Sequence, residues 1–290
     1  MKQRIWMEVE GVPVVGDLFL PGGTGPFPAV VVAGPMTSVK EQVTGVYACA
    51  LAVRGIAALC IDHRHYGESG GGPRQFEFPA DKITDLRTAV TWLAGHPFID
   101  AARLGMVGVC LGAGYAAHAL SELGSVKAFG TIAGYFPDPG EMRATNPGYL
   151  PEVESGRNAR IEFETTGVAA MVPAAAVGHG APMSHHDIVE YYGTGRAGVP
   201  NYRNEFAVMS REPWLLFDAQ AAAASVRVPT FGVHSEQALA PVWARRFYDA
   251  ITVDAELAWL DAQSQADFYD NPRLVNAAAE LVAQHLLRHL

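Results

Sequence analysis

The residues best able to do covalent chemistry lie in Gly108-Val109-Cys110-Leu111-Gly112. An apolar strand, Arg103 to Val109, runs into this stretch, and a helix rich in alanine and glycine follows it. Gly108 and Gly112 flank a turn so sharp that only small residues fit, and the turn presents one side chain, the Cys110 thiol. A thiol at the first turn of a helix lies beside unpaired backbone N–H groups. These favour thiolate and can bind an oxyanion. The position therefore predicts a nucleophile more reactive than Cys49, on a predicted helix, or Cys60, in a predicted buried strand. The competing reading is a buried structural cysteine in an ordinary turn.

The elements around this turn set its context. Residues 4–9 and 12–20 alternate apolar and polar about Glu10-Gly11, the pattern of an antiparallel hairpin. Residues 28–33, 56–61, 126–132, 228–234 and 257–260 are apolar runs, as strands covered on both faces should be. Between them, helical spacing predicts helices at 39–54, 80–94, 241–251 and 272–287. From 136 to 225 the pattern breaks into a Gly-, Pro-, Tyr-, His- and Met-rich segment with short helical patches at 185–192 and 215–225 and no second sheet. That segment reads as a lid inserted into one core of residues 1–135 and 226–290.

Composition narrows the function. Across 290 residues, 49% are hydrophobic, which suits one large α/β core. Three cysteines at no metal-like spacing argue against a disulfide framework or a zinc site, and no cofactor or metal is expected. A net charge of −9 without basic clusters argues against nucleic acid or an anionic membrane as partner, leaving a small molecule. A homodimer stays open. Met1 to Glu8 lacks the apolar stretch of a signal peptide and no long apolar run follows, so a cytoplasmic location is expected.

The order of elements, the Gly-x-Cys-x-Gly turn and the phrases Val39-Lys40-Glu41-Gln42, Asp62-His63-Arg64, Pro73-Arg74-Gln75 and Asp267-Phe268-Tyr269-Asp270 resemble the α/β-hydrolase superfamily. Within it the chain is similar to the dienelactone-hydrolase and acetyl-xylan-esterase-like branch, where Cys may replace the nucleophilic Ser. The resemblance implies an eight-stranded, mostly parallel sheet with helices on both faces and an active site at the carboxyl ends of the strands, beneath the lid. It places the nucleophile on Cys110 and the oxyanion hole on the N–H groups of Leu111 and Met36, since Pro35 has none. It places the acid on Glu236, whose alternative role is a solvated carboxylate before a helix.

The sequence departs from the family at the base. Where the family has His, the chain has Gln265, which can donate a hydrogen bond but cannot take a proton near neutrality. If hydrolase geometry holds, the side chain at 265 points at Cys110 with Glu236 behind it. Substitute bases are His185 and His186 in the lid and His234 at a strand end; His63, beside Asp62 and Arg64, reads as structural. Tyr135, Tyr191, Tyr192, Tyr202, Trp214, Met171, Met183 and Met209 suit an apolar pocket wall or an ordinary core. The expected activity is attack on an ester, lactone or thioester carbonyl. A non-hydrolytic cyclase, isomerase or lyase of natural-product biosynthesis, or a ligand-binding pseudo-hydrolase, are the alternatives.

Overall fold

The computed structural model describes all 290 residues. The hairpin β1 (Lys2–Val9) and β2 (Val12–Phe19) leads into β3 (Phe27–Ala33), β4 (Ala57–Ile61), β5 (Ile99–Val109), β6 (Val126–Ile132), β9 (Thr230–His234) and β10 (Ala255–Trp259). These form one eight-stranded sheet in the order β1-β2-β4-β3-β5-β6-β9-β10. From β4 to β10 every pairing is parallel; β1 with β2 and β2 with β4 are antiparallel. The central strands β3, β4, β5 and β6 are almost wholly buried because helices cover both faces, which is why they read as continuous apolar runs.

Helices α1 (Val43–Val53) and α10 (Pro272–His289) pack together, as do α2 (Pro79–Ala94) and α3 (Leu111–Leu120), while α8 (Pro241–Asp249) lies against β10. The first helix begins four residues later than its apolar spacing predicts. Lys40 N–H donates to the buried Asp62 carboxylate at 2.8 Å and Gln42 Oε1 accepts from Val39 N–H at 3.0 Å, so residues 39–42 are held as a loop.

Residues 136–225 hold α4 (Pro139–Thr145), α5 (Tyr149–Thr166), α6 (His186–Gly193) and α7 (Arg211–Leu215), with a 3-10 turn at Gln220–Ser225. The strands β7 (Met171–Val172) and β8 (Phe206–Ala207) form a two-residue antiparallel pair, a small second sheet that the sequence did not reveal. The predicted patch at 215–225 is instead two short pieces separated by Phe217–Ala219. The long α5 escaped prediction because it is polar on most sides and buries only Tyr149, Val153, Gly156 and Ala159, a narrow stripe of mostly small residues. Gly156 is required there, since a Cβ would lie 2.4 Å from Glu212 N. Apart from Ala159, Ala207 and Met209, the buried apolar residues of this segment join the main core.

A short helix α9 (Asp267–Asp270) follows β10 and carries the last residues that reach the site.

Candidate active site

Cys110 sits between β5 and α3 with φ 54° and ψ −129°, a conformation that costs a non-glycine residue about 1–3 kcal/mol and is held by its surroundings. Cys110 N–H donates to Ile132 O, and Cys110 O accepts from Ala113 and Tyr135 N–H. The glycines beside it are obligatory. A Cβ on Gly108 would lie 2.3 Å from Ala113 Cα, and one on Gly112 would lie 2.5 Å from the carbonyl oxygens of Ala33 and Gly34.

Three groups meet the Cys110 sulfur: Leu111 N–H, the Tyr269 hydroxyl and the Gln265 amide. Gln265 is buried at 1% exposure. Its amide nitrogen donates to Ala133 O at 2.9 Å and to Tyr269 Oη at 3.3 Å, and its oxygen accepts from Leu239 N–H at 3.0 Å. Gln265 and Tyr269 lie one helical turn apart, so a single short segment delivers both. The expected pairing of position 265 with Cys110 is present in space.

Glu236 does not stand behind Gln265. Its side chain is 61% exposed and pairs with Arg245, which also stacks on Trp259. Glu236 lies five residues before α8, where it meets Arg245, while the Gln265 amide N–H groups are already taken by Ala133 O and Tyr269 Oη. A carboxylate whose charge bears on the Cys110 thiol is Asp187, on α6, which accepts from Ala266 N–H at 3.2 Å and borders the same groove as Gln265. From sequence, Asp187 and Glu190 are candidates only as partners of His185 or His186, since residues 136–225 give no spacing that brings them to Gln265.

Of the substitute bases, His234 is fully buried, with ring nitrogens 3.0 Å from Ser235 O and 3.2 Å from Gly134 O; burial holds its pKa below the usual value. It serves as a backbone brace. His63 rests on Asp85 at 3.1 Å, as a structural histidine should. His185 and His186 are exposed at the start of α6, and only His185 also borders the cavity containing Cys110.

That cavity has a volume of about 320 Å³, with Cys110, Leu111, Met36 and Tyr269 from the core and Met142, Met183, Ile188, Tyr192, Trp214 and Leu215 from residues 136–225. Tyr135 completes the wall. Of the aromatic and methionine residues considered from sequence, Tyr191, Tyr202, Met171 and Met209 do not border it. Tyr191 packs on Tyr269, Met209 lies with Ala159, and Met171 is exposed. A second, more polar groove of about 600 Å³ adjoins the cavity at Tyr135, His185 and Leu239.

The N–H groups of Leu111, first in α3, and of Met36, in the loop after β3, have no backbone acceptor. The Met36 loop is fixed by a buried network that sequence reasoning missed. Glu77, fully buried, accepts from Thr37 N–H at 3.0 Å, Tyr66 Oη at 2.7 Å, Tyr115 Oη at 2.7 Å and Lys82 Nζ at 2.7 Å, while its own N–H donates to Ser210 Oγ at 2.9 Å. Burial alone would raise the Glu77 pKa, but Lys82 and the hydroxyls outweigh it and hold the carboxyl below its usual range. Replacing Glu77 with Leu strands the buried Lys82 ammonium. The expected loss of stability is about 3–5 kcal/mol, read by urea unfolding; a loss below about 1 kcal/mol would show that the network is dispensable.

The thiol itself is not activated at rest. Burial pushes the Cys110 thiol up to about 11, and the hydrogen bonds from Tyr269, Leu111 and Gln265 only partly offset that. The expectation of a helix-stabilised thiolate is therefore corrected, because desolvation exceeds the helix-terminal field. The expected labelling order changes with it. Cys49 is exposed and Cys60 is buried with its thiol raised further, so iodoacetamide at pH 8 should label Cys49 first, Cys110 slower by on the order of tenfold, and Cys60 only on unfolding. Peptide mass mapping over a time course checks this. Faster labelling at Cys110 than at Cys49 would mean that an unseen base deprotonates it.

An eight-stranded sheet of this order, with a strained turn at Cys110 between the fifth strand and a helix, defines an α/β-hydrolase fold. The FrsA-like esterase family model matches residues 1–135. The chain is 31% identical to the uncharacterized protein YcjY of Escherichia coli (strain K12), over 90% of this chain and 88% of that one. It belongs to the same family as YcjY. The crystal structure of the hypothetical protein PA2218 from Pseudomonas aeruginosa superposes with a TM-score of 0.84 at 26% identity, covering 100% of this chain and 94% of that one. Thiohydrolase aneE of Aspergillus aculeatus is 39% identical over 36% of this chain and 32% of its own length. The chain is thus a hydrolase-fold enzyme related to esterases. No helix is long and apolar enough to cross a membrane.

Proposed function

We propose that Cys110 attacks the acyl carbon of a small, largely apolar ester, lactone or thioester, forms an acyl-enzyme and releases the acid by hydrolysis. In the first step Cys110 loses its S–H proton to solvent and attacks as thiolate, the new S–C bond replaces the old acyl bond, and the leaving group departs with its electron pair and takes a proton from solvent. In the second, water adds to the acyl carbon and returns the thiol. The N–H groups of Leu111 and Met36 bind the oxyanion in both steps. His185, at the junction of cavity and groove, is the group able to take the proton from that water, and residues 136–225 act as the lid that keeps the acyl chain dry.

The observation that carries the reading is the strained Cys110 at the edge of a largely apolar cavity that Leu111 and Met36 also line, their N–H groups having no backbone acceptor. Among the three substrate types a thioester suits the site best. A departing thiol has a pKa close to that of Cys110 and leaves as thiolate, whereas an alkoxide must be protonated as it leaves, and the residue at 265 is an amide. The thiohydrolase similarity over the matched segment supports the same choice.

Intact-mass and peptide analysis after incubation with acetyl and hexanoyl thioesters tests the proposal. The expected result is one acyl group, on Cys110. Turnover with no adduct, giving a product isomeric with the substrate, would overturn it in favour of a non-hydrolytic reaction. The adduct should form faster as pH rises, by about tenfold per unit from 7 to 10, because only the thiolate attacks and the thiol titrates near 11. A flat profile over that range would show that a neighbouring base removes the proton.

A further inference from the structure

Four buried side-chain polar atoms lack any hydrogen-bond partner: Thr37 Oγ1, Glu41 Oε2, Tyr192 Oη and Tyr202 Oη. They are not scattered. Thr37 and Glu41 lie on the loop after β3, next to Met36, and Tyr192 and Tyr202 lie in the lid segment facing that loop, where Gln42 donates to Ala197 O at 3.0 Å and Asn201 to Glu41 Oε1 at 2.8 Å. The rings of Tyr192 and Tyr202 are 5.2 Å apart, and the Tyr202 hydroxyl faces Thr37 Oγ1 without completing a hydrogen bond. Tyr192 also borders the Cys110 cavity. Folded proteins rarely leave one buried hydroxyl unpaired, and three gathered behind the wall of a reaction cavity call for a shared partner.

We propose that the Tyr192 hydroxyl, at the cavity wall with Thr37 and Tyr202 behind it, forms a polar subsite that takes a neutral oxygen, a ketone or hydroxyl, on the acyl chain of the substrate. This rests on the acyl-transfer reading given above. Each hydroxyl can both donate and accept, which matches a neutral oxygen. The nearby carboxylates Glu77 and Glu41, paired with Lys82 and Lys40, disfavour a further negative charge beside these hydroxyls. The largely apolar wall favours an apolar remainder of the chain, and the buried hydroxyl selects its oxygenation. An unoxygenated chain leaves them unpaired, which is a penalty on binding rather than a missing bonus.

The test compares hexanoyl thioesters that carry a ketone at C3, C4 or C5 with plain hexanoyl thioester, in single-turnover acylation of Cys110 read by intact mass. One ketone position should react faster than hexanoyl by on the order of tenfold or more. Intrinsic electrophilicity is removed by taking the same ratio in Tyr192→Phe, where it should fall several-fold. Thr37→Val supplies the second variant should Tyr192→Phe fail to fold. A ratio unchanged in both variants, with only a lower melting temperature, would show that the hydroxyls hold structural water and overturn the subsite. Equal rates for all four substrates in the unmodified protein would also overturn it while leaving acylation of Cys110 standing. Failure of every thioester to acylate Cys110 would overturn the acyl-transfer reading itself and this inference with it.

Discussion

Substituting Gln265→His is expected to raise hydrolysis of p-nitrophenyl acetate by about 100-fold. A general base contributes on the order of 100- to 10,000-fold, and the side chain at 265 already touches the Cys110 sulfur, so an imidazole there has the right reach. The gain belongs at the low end of that range because Glu236, 61% exposed and bound to Arg245, is not available to orient the new ring. Asp187, which accepts from the neighbouring Ala266 N–H, is the carboxylate that can. Adding Asp187→Asn to the variant should therefore remove much of the gain, whereas adding Glu236→Ala should not. The change also removes the amide from Leu239 N–H and Ala133 O, at a cost of about 1–2 kcal/mol of stability. A folded variant with no rise in esterase rate would show that 265 is not the position of a base and would move the search to His185.

Removing the thiol tests the same site from the other side. Cys110→Ala should lower turnover of any ester or thioester substrate by about 10,000-fold or more, since Cys110 is the residue held in the strained turn directly before Leu111 at this cavity. Cys110→Ser should be nearly as inactive, because a serine hydroxyl without a base is a poor nucleophile and Gln265 cannot take its proton. The double variant Cys110→Ser with Gln265→His should recover activity above either Cys110 variant, as members of a nucleophile–base pair act as a unit. Cys110→Ala protein that still hydrolyses substrate within about tenfold of the unmodified rate would remove Cys110 from the mechanism.

Much of the framework was readable in the chain because local rules and tertiary demands agree there. Continuous apolar runs made β3 to β6 recognisable, since a strand covered on both faces has no polar side to show. The turn at Gly108 to Gly112 was recognisable because its steric requirement is local: two glycines admit two close backbones, and the residue between them must take positive φ. The interest of Gln265 came from the family resemblance, which implies His at that place after the last strand. Residues 136–225 were recognised as an insertion by their broken periodicity, although α5 stayed hidden behind a polar surface.

What only the tertiary structure decided concerns partners drawn from distant parts of the chain. The sequence by itself determines the fold class, the turn that presents Cys110 and the identity of position 265, because each depends on neighbours a few residues away. It does not determine whether Glu236 or Asp187 carries the nearby carboxylate, since α6 of the lid and the loop after β9 meet only in space. Nor does it determine the state of the Cys110 thiol, where a helix end favours the charge and burial opposes it; in the fold the thiol is buried and burial raises its pKa. Glu77, whose five hydrogen-bonding partners span Thr37 to Ser210, is invisible to any local pattern for the same reason: a buried carboxylate has meaning only through the donors the fold brings to it.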